Sequence, residues 1–393
     1  MSLFNQTVAV TVINLKSIRQ RMAMSLSTVV AIALVVAVLL AFLAMANGFK
    51  ATIQGAGSPD IAIILRPGSD AELNSTISRD QIRLIDEAPG IAHDGRNPLV
   101  SGELYMVVDG IKRSGGAKSN LPLRGIGSQG MAVRHGIRII EGRTFNPGSN
   151  ELIVGKAMTK EFAGFDLGQT VRLSTSTWTV VGIFDAGGSV FESEIWADAS
   201  TVQTLFKREN YFQTVRARLN DPSDLDALVT YVTDDPRLKL EAMSESAYFA
   251  KQSSQTSDLI LYLGWPLAIA MAFGALAGAL NTMYSSVQAR SRDIATLRAI
   301  GFGGFPTFVG TLVEAMALAA IGGLVGAAFA YLFFDGLTAS TIGGNFTQVV
   351  FSFKLTPQLI GNGVVLALVV GLIGGLFPAI RAARLPIVEG LQG

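Results

Sequence analysis

The chain has 393 residues, of which 49% are hydrophobic and only 16% charged, with 31 Lys and Arg against 30 Asp and Glu. That composition excludes an ordinary soluble protein of this size, and a net charge of +1 gives no basic signal for nucleic acid. With no cysteine, disulfides, Cys-based metal sites and thiol catalysis are excluded as well.

Residues 1–21 form a lead-in in which Phe4, Val8, Val12, Leu15 and Ile18 recur at spacings of three and four. That period predicts an amphipathic helix lying on the inner membrane surface. Residues 22–49 then carry no Asp, Glu, Lys or Arg. A bilayer core of roughly 30 Å needs about 20 apolar helical residues, so this run predicts transmembrane helix 1. Lys16, Arg19 and Arg21 precede it like the charged start of a signal peptide. The run is too long for such a peptide and no small-residue cleavage pattern closes it, so a retained anchor is expected.

Residues 50–256 read as an external α+β domain. "DIAIIL" (60–65) predicts a strand, "SRDQIRLIDEAPG" (78–90) a helix capped by Ser78 and stopped by Pro89-Gly90, and "ELYMVVDG" (103–110) a second strand. Late in the domain "TVRARL" (214–219), "DPSDLDALVTYVTDD" (221–235) and "LKLEAMS" (238–244) repeat the strand, helix, strand order. Between them, about 121–206, short strand-like runs such as "ELIVG" (151–155), "TVRLS" (170–174), "WTVVGIF" (178–184) and "SEIWAD" (193–198) predict a β-rich insertion. Its core is expected to hold without disulfides, since about 210 residues can bury enough surface.

Three further apolar runs follow: transmembrane helix 2 (259–284), helix 3 (306–334) and helix 4 (358–380), with an external loop at 335–357 and a tail at 381–393. The predicted fold is therefore an α-helical membrane protein with four transmembrane helices and a large external α+β domain between helices 1 and 2. Cations set its orientation. Lys16, Arg19 and Arg21, then Arg290, Arg292 and Arg298, then Arg381 and Arg384 all fall on one side if the spans alternate, so both termini are expected in the cytoplasm.

Between spans two and three, residues 286–301 place Ile294, Leu297 and Ile300 at helical spacing, with Arg290, Arg292, Asp293 and Arg298 around the remaining face and Gly301 as the stop. Loose arginines would suffice to fix topology. A surface helix with an apolar stripe is instead something a cytosolic partner can grip. Glu314 is the sole ionisable residue in the four uncharged runs, and at helical rise it lies roughly 12 Å into its span. It is expected to face another helix rather than lipid, in a structural hydrogen bond within the bundle, with proton or substrate handling as the alternative. Gly322, Gly323 and Gly326, with Gly371, Gly374 and Gly375, are expected to admit close helix approach. His93 and His135 stand alone in the sequence, so no metal cluster is expected, and no catalytic constellation can be picked out.

"NTMYSSVQARSRDIATLRAIG" (281–301), "LVEA" (312–315), "IGGLVGAAFAY" (321–331), the tail "PAIRAARLPIVEGLQG" (378–393) and the exit "LAMANGFK" (43–50) together resemble the FtsX/MacB-type (type VII) permeases of ABC transporters. Ala289 stands where that family usually has a glutamate before the first loop arginine, and Asp293-Ile294-Ala295 where it has Glu-Ile-Gly after the second. The resemblance implies a non-catalytic permease subunit in the bacterial inner membrane, its large domain in the periplasm. It also implies a homodimer working with two copies of a cytosolic ATPase and, as in MacB, a periplasmic adaptor. Residues 286–301 would then be the coupling helix, transmitting ATPase motion to the external domain to export or extract a substrate. Lipid or lipoprotein extraction of the LolC type, or FtsX-like signalling to a cell-wall hydrolase, are the alternatives. Gly155-Lys156 lacks the neighbours of a phosphate-cradling loop, so ATP and magnesium are expected on a separate ATPase and no cofactor on this chain.

Overall fold

A computed structural model describes residues 2–343 and 345–388. The main helices, in chain order, are α1 (Leu3–Ser17), α2 (Met22–Gln54), α3 (Arg79–Ile85), α4 (Leu225–Asp234), α5 (Glu245–Ala289), α6 (Ser291–Ala299), α7 (Gly304–Phe334) and α8 (Pro357–Arg384). Two compact units divide the chain, one built from 1–47, 259–337 and the part from 353 onward, the other from 48–258 with 338–352.

In the first unit, four helical stretches among the described residues are long and apolar enough to cross a membrane: Leu3–Gln54, Glu245–Ala289, Gly304–Phe334 and Pro357–Arg384. A 3-10 turn, Ile18–Arg21, joins α1 to α2. The expected lead-in is helical, with Ser2 capping its first turn. Val10 and Asn14 are buried, whereas Phe4, Val8, Val12 and Leu15 stay exposed as an apolar face. The glycines of α7 and α8 act where helices touch. A Cβ on Gly326 would stand 2.4 Å from the carbonyl of Ala33 in α2, and one on Gly371 2.2 Å from the Cβ of Ala319 in α7. Small residues at these crossings let backbones approach where lipid supplies no hydrophobic drive.

The second unit is built on a ten-stranded sheet. Its strands are β1 (Ile61–Leu65), β2 (Val100–Ile111), β3 (Lys118–Ile126), β4 (Arg138–Gly142), β5 (Glu151–Gly155), β6 (Thr170–Leu173), β7 (Ser176–Asp185), β8 (Ile195–Asp198), β9 (Thr214–Arg218) and β10 (Glu241–Ser244). They run in the order β10-β1-β9-β2-β3-β8-β5-β7-β4, with β6 on β7. The β-rich insertion expected at 121–206 is thus continuous with the flanking halves. Strand β2 joins them: Val100 to Glu103 pair with β9, and Leu104 to Ile111 pair with β3. Each half keeps an apolar core on the same sheet face, Ala62, Ile64, Val215 and Ala217 under α3 and α4, and Leu104, Leu123, Leu152 and Ala197 in the other.

Residues 335–357, expected as a plain loop, instead hold a hairpin of β11 (Thr338–Ile342) and β12 (Gln348–Ser352). Val350 of this hairpin belongs to the apolar core of the second unit, and its backbone N–H donates to Ser193 Oγ at 2.9 Å. The external domain expected at 50–256 therefore also takes in a segment from between spans three and four. Tertiary burial, which a hydropathy reading cannot register, accounts for the difference.

Candidate functional site

The segment between spans two and three is broken rather than continuous. Helix α5 ends at Ala289, Arg290 adopts φ −106° and ψ 8°, and α6 starts at Ser291. The helix expected over 286–301 is accordingly shorter and begins later. The reason lies in Arg290, which leaves the helical path with its side chain buried in the bundle, 7% exposed. Its Nη2 donates to Glu314 Oε2 at 2.6 Å and to Ser286 Oγ at 3.2 Å. Arg21, at the end of the 3-10 turn, approaches the same carboxylate, Nη2 to Oε1 at 3.6 Å. It also donates to Ser286 Oγ and, at 2.7 Å, to Ser17 Oγ. Glu314 is 1% exposed, so the carboxylate expected to face another helix faces two arginines from separate parts of the chain. An ionised group in an apolar bundle is tolerated when so paired.

Two of the residues read as a partner-facing surface, Arg290 and Ile294, turn inward. Arg290 is held as described, and Ile294 packs with Val287 of α5 and Ala382 of α8. Burying them anchors α6 on the bundle, so the apolar stripe read from the sequence is split, with Ile294 taken up within the chain and Ile300 left outward. Arg298 reinforces this by donating from Nη1 to the Leu385 carbonyl at 2.5 Å, and Leu297 is half-buried. Arg292 and Asp293 remain exposed, as do Thr296 and Ile300, the last at 69%. Together with Ala299 these form the outward face. Gly301 follows with φ +103°, a backbone region that favours glycine, and turns the chain toward α7.

A second constellation escaped the sequence reading. In the external domain Glu72, Glu103, Glu194, Glu245, Arg124, Arg134 and Arg216 are all buried and joined in one network. Strand alternation explains its placement. Register pairs Arg216 with Ser101, Thr214 with Glu103, Tyr105 with Arg124 and Arg124 with Trp196, so these side chains share the sheet face opposite the apolar cores. Arg124 donates to Glu194 from Nε and Nη2, both at 2.7 Å, and to Glu72 from Nη1 at 2.6 Å. Glu245, the first residue of α5, accepts from Arg216 Nε at 2.9 Å. Burial opposes ionisation of Glu72, yet the adjacent Arg124 and Arg216 hold its carboxyl down at about 2. Glu103 is likewise held far below the usual range by Arg134, Arg216 and Arg124 against the burial penalty. For Glu245 burial wins and pushes the carboxyl up. His135 and His93 make local contacts: His135 Nε2 lies 2.6 Å from Asp60 Oδ2, and His93 Nδ1 3.0 Å from the Ile91 carbonyl.

The comparisons with known proteins bear on this arrangement. A MacB-like periplasmic core domain matches residues 25–235, and an FtsX-like permease C-terminal domain matches 266–387. The chain belongs to the FtsX/MacB-type permeases of ABC transporters. The first match holds α2 and most of the external sheet, and the second holds α6 to α8 with the Arg290–Glu314 pair. This permease is 25% identical over 404 residues to the macrolide export ATP-binding/permease protein MacB of Azoarcus sp., covering 96% of this chain and 58% of that protein. An uncharacterised ABC transporter permease of Methanocaldococcus jannaschii is 24% identical, over 58% of each. Among solved structures, the periplasmic region of MacB from Actinobacillus actinomycetemcomitans is similar at 16% identity and TM-score 0.37, covering 50% of this chain and 92% of that one. The permease spans 53 to 58% of the length of the first curated relatives it matches.

Proposed function

We propose that this permease works as a homodimer with two copies of a cytosolic ATPase, which holds the ATP and magnesium, and that α6 is the element the ATPase moves. In this reading the chain sits in a bacterial inner membrane with both termini inside, and passes the motion to its periplasmic domain to export or extract a substrate. A periplasmic adaptor would receive that motion. The observation that carries the reading is the build of α6: a short helix between two apolar spans, fastened from behind through Arg290, Ile294 and Arg298, with Arg292, Asp293, Thr296 and Ile300 left outward. A segment needed only for topology requires its arginines and no such fastening. Two copies are what membership of the family implies, and α5, the least buried of the four spans, is the helix offered for the contact.

The test uses Ile300→Asp, because Ile300 is exposed and buries nothing in the bundle. A charge placed under a partner is left without a counterion. ATPase recovery with the purified permease is expected to fall at least tenfold while the external domain stays accessible to labelling from outside. Unchanged recovery would remove α6 as the contact. Mass measurement of the solubilised complex checks the pair: one permease bound to one ATPase would overturn the dimer.

A further inference from the structure

Glu314 is 1% exposed, and it is shared. Three chain segments meet at it: the turn after α1 through Arg21, the break between α5 and α6 through Arg290, and α7 itself. Ser286 is shared by the same two arginines. Beside these polar groups, Met283 of α5 packs with Ala315 and Leu318 of α7, and Ile18 of the turn lies against them. Farther along, Val10 and Asn14 of α1 press on Gly310 of α7, where an added Cβ would stand 2.9 Å from Val10 Cγ1. Apolar contact alone would let these segments slide. Charged hydrogen bonds fix both distance and direction, and in a low-dielectric bundle an unpaired carboxylate or guanidinium is costly, so the three groups stay together when one of them is displaced.

We propose that Glu314 is a positioning residue of the transmission step: by holding Arg290 and Arg21 at once, it makes the lead-in helix α1 move with the break ahead of α6. Displacing α6 then shifts α1, α7 and the end of α5 as one piece, so the lead-in is a driven part of the permease. The inference rests on the coupling reading given above.

The chain has no cysteine, so labels can be placed singly. Lys16→Cys on α1 and Gln288→Cys near the end of α5 are both exposed and lie off the outward face of α6. Spin labels at these two sites, in permease purified together with its ATPase, give a distance by pulsed EPR with and without ATP. In the otherwise unaltered chain that distance is expected to stay constant to within about one helical residue rise, ~1.5 Å, between the two states. Glu314→Gln keeps the size and removes the charge. With it, ATP is expected to shift the distance by more than that amount or to broaden it, and Glu314→Asp is expected to restore the narrow distribution. A residue serving only stability would lower yield or melting temperature without making the distance depend on ATP. A Glu314→Gln distance that stays constant, or an unaltered chain whose distance moves with ATP, overturns the proposal. Should Glu314→Gln fail to insert, Arg21→Gln frees α1 alone and is read the same way. Failure of the coupling reading is seen separately, as normal ATPase recovery with Ile300→Asp.

Discussion

The external domain and the helix bundle both bury ionisable side chains, but they do so on different scales and by different means. In the domain, seven residues spread from Glu72 to Glu245 share one buried network, four carboxylates against three guanidiniums. In the bundle, one carboxylate meets two arginines beside the ends of α5 and the turn before α2. A sheet can line up charges from many strands on one face, because successive side chains alternate and register sets neighbours. A helix bundle in an apolar surrounding holds a charge only where another segment brings its partner, and here that place is a break in the helix. The contrast separates a network that holds a domain together from a joint that sits where the chain changes direction.

Removing one member of the larger network is the strongest way to break the comparison. Arg124→Met leaves Glu72 and Glu194 without their main partner, and stranding buried charge costs about 3–5 kcal/mol. At about 2–4 °C per kcal/mol for a domain of this size, the melting temperature of the external domain should fall by about 10 °C or the domain should fail to fold. A drop below about 2 °C would mean that the network is ornamental. The hairpin is next. A soluble 48–258 domain joined by a linker to 338–352 should be more stable to urea than 48–258 alone, by about 2 kcal/mol for the burial of Val350 and its neighbours. Equal midpoints would show that the hairpin rests on the domain without contributing to it.

Acid sharpens the comparison further. Glu72, held at about 2 against an ordinary 4.5, contributes stability that is fully present above about pH 4.5 and is lost as the pH falls toward 2. Glu103, also depressed, adds to the loss in that window. Glu245, pushed up by burial, acts in the opposite sense: its proton favours the folded domain at low pH and that favour fades as the pH rises. The domain should therefore unfold between about pH 4.5 and 2, as followed by circular dichroism. Glu245→Gln should give the smallest effect in the set, within about 1 kcal/mol at neutral pH, since it keeps an acceptor for Arg216 Nε and removes a charge that burial disfavours. A loss at pH 7 as large as that of Arg124→Met would place Glu245 among the paired carboxylates instead.

The legible parts of the sequence share a local cause. Ser78, read as the cap, accepts from the Gln81 N–H at the start of α3. "ELIVG" is strand β5 residue for residue, because a short apolar run bounded by turns has few other options. In the candidate site, helical spacing marked a helix near 286–301, but spacing alone could not tell a stripe that meets a partner from one that meets α8. Ile294 belongs to the second kind. Arg124 carried a faint signal as a lone charge inside the apolar strand run "LPLRGI", and Arg216 a fainter one, since "TVRARL" holds Arg218 as well. Period-two alternation points such residues away from the apolar face, which normally means toward water. Here the opposite face is covered too.

By itself the sequence determined the four apolar stretches, the domain set between the first two, the strand and helix order at both ends of that domain, and the short charged helix before span three. Each of these follows from period, length or capping within a few neighbouring residues. The tertiary structure alone decided that the β-rich insertion continues one sheet through β2, that the hairpin 338–352 completes the external core, and that Glu314 joins Arg21 to Arg290. Those outcomes depend on which distant segments meet, and a charge or an apolar stripe reads the same in sequence whatever comes to cover it.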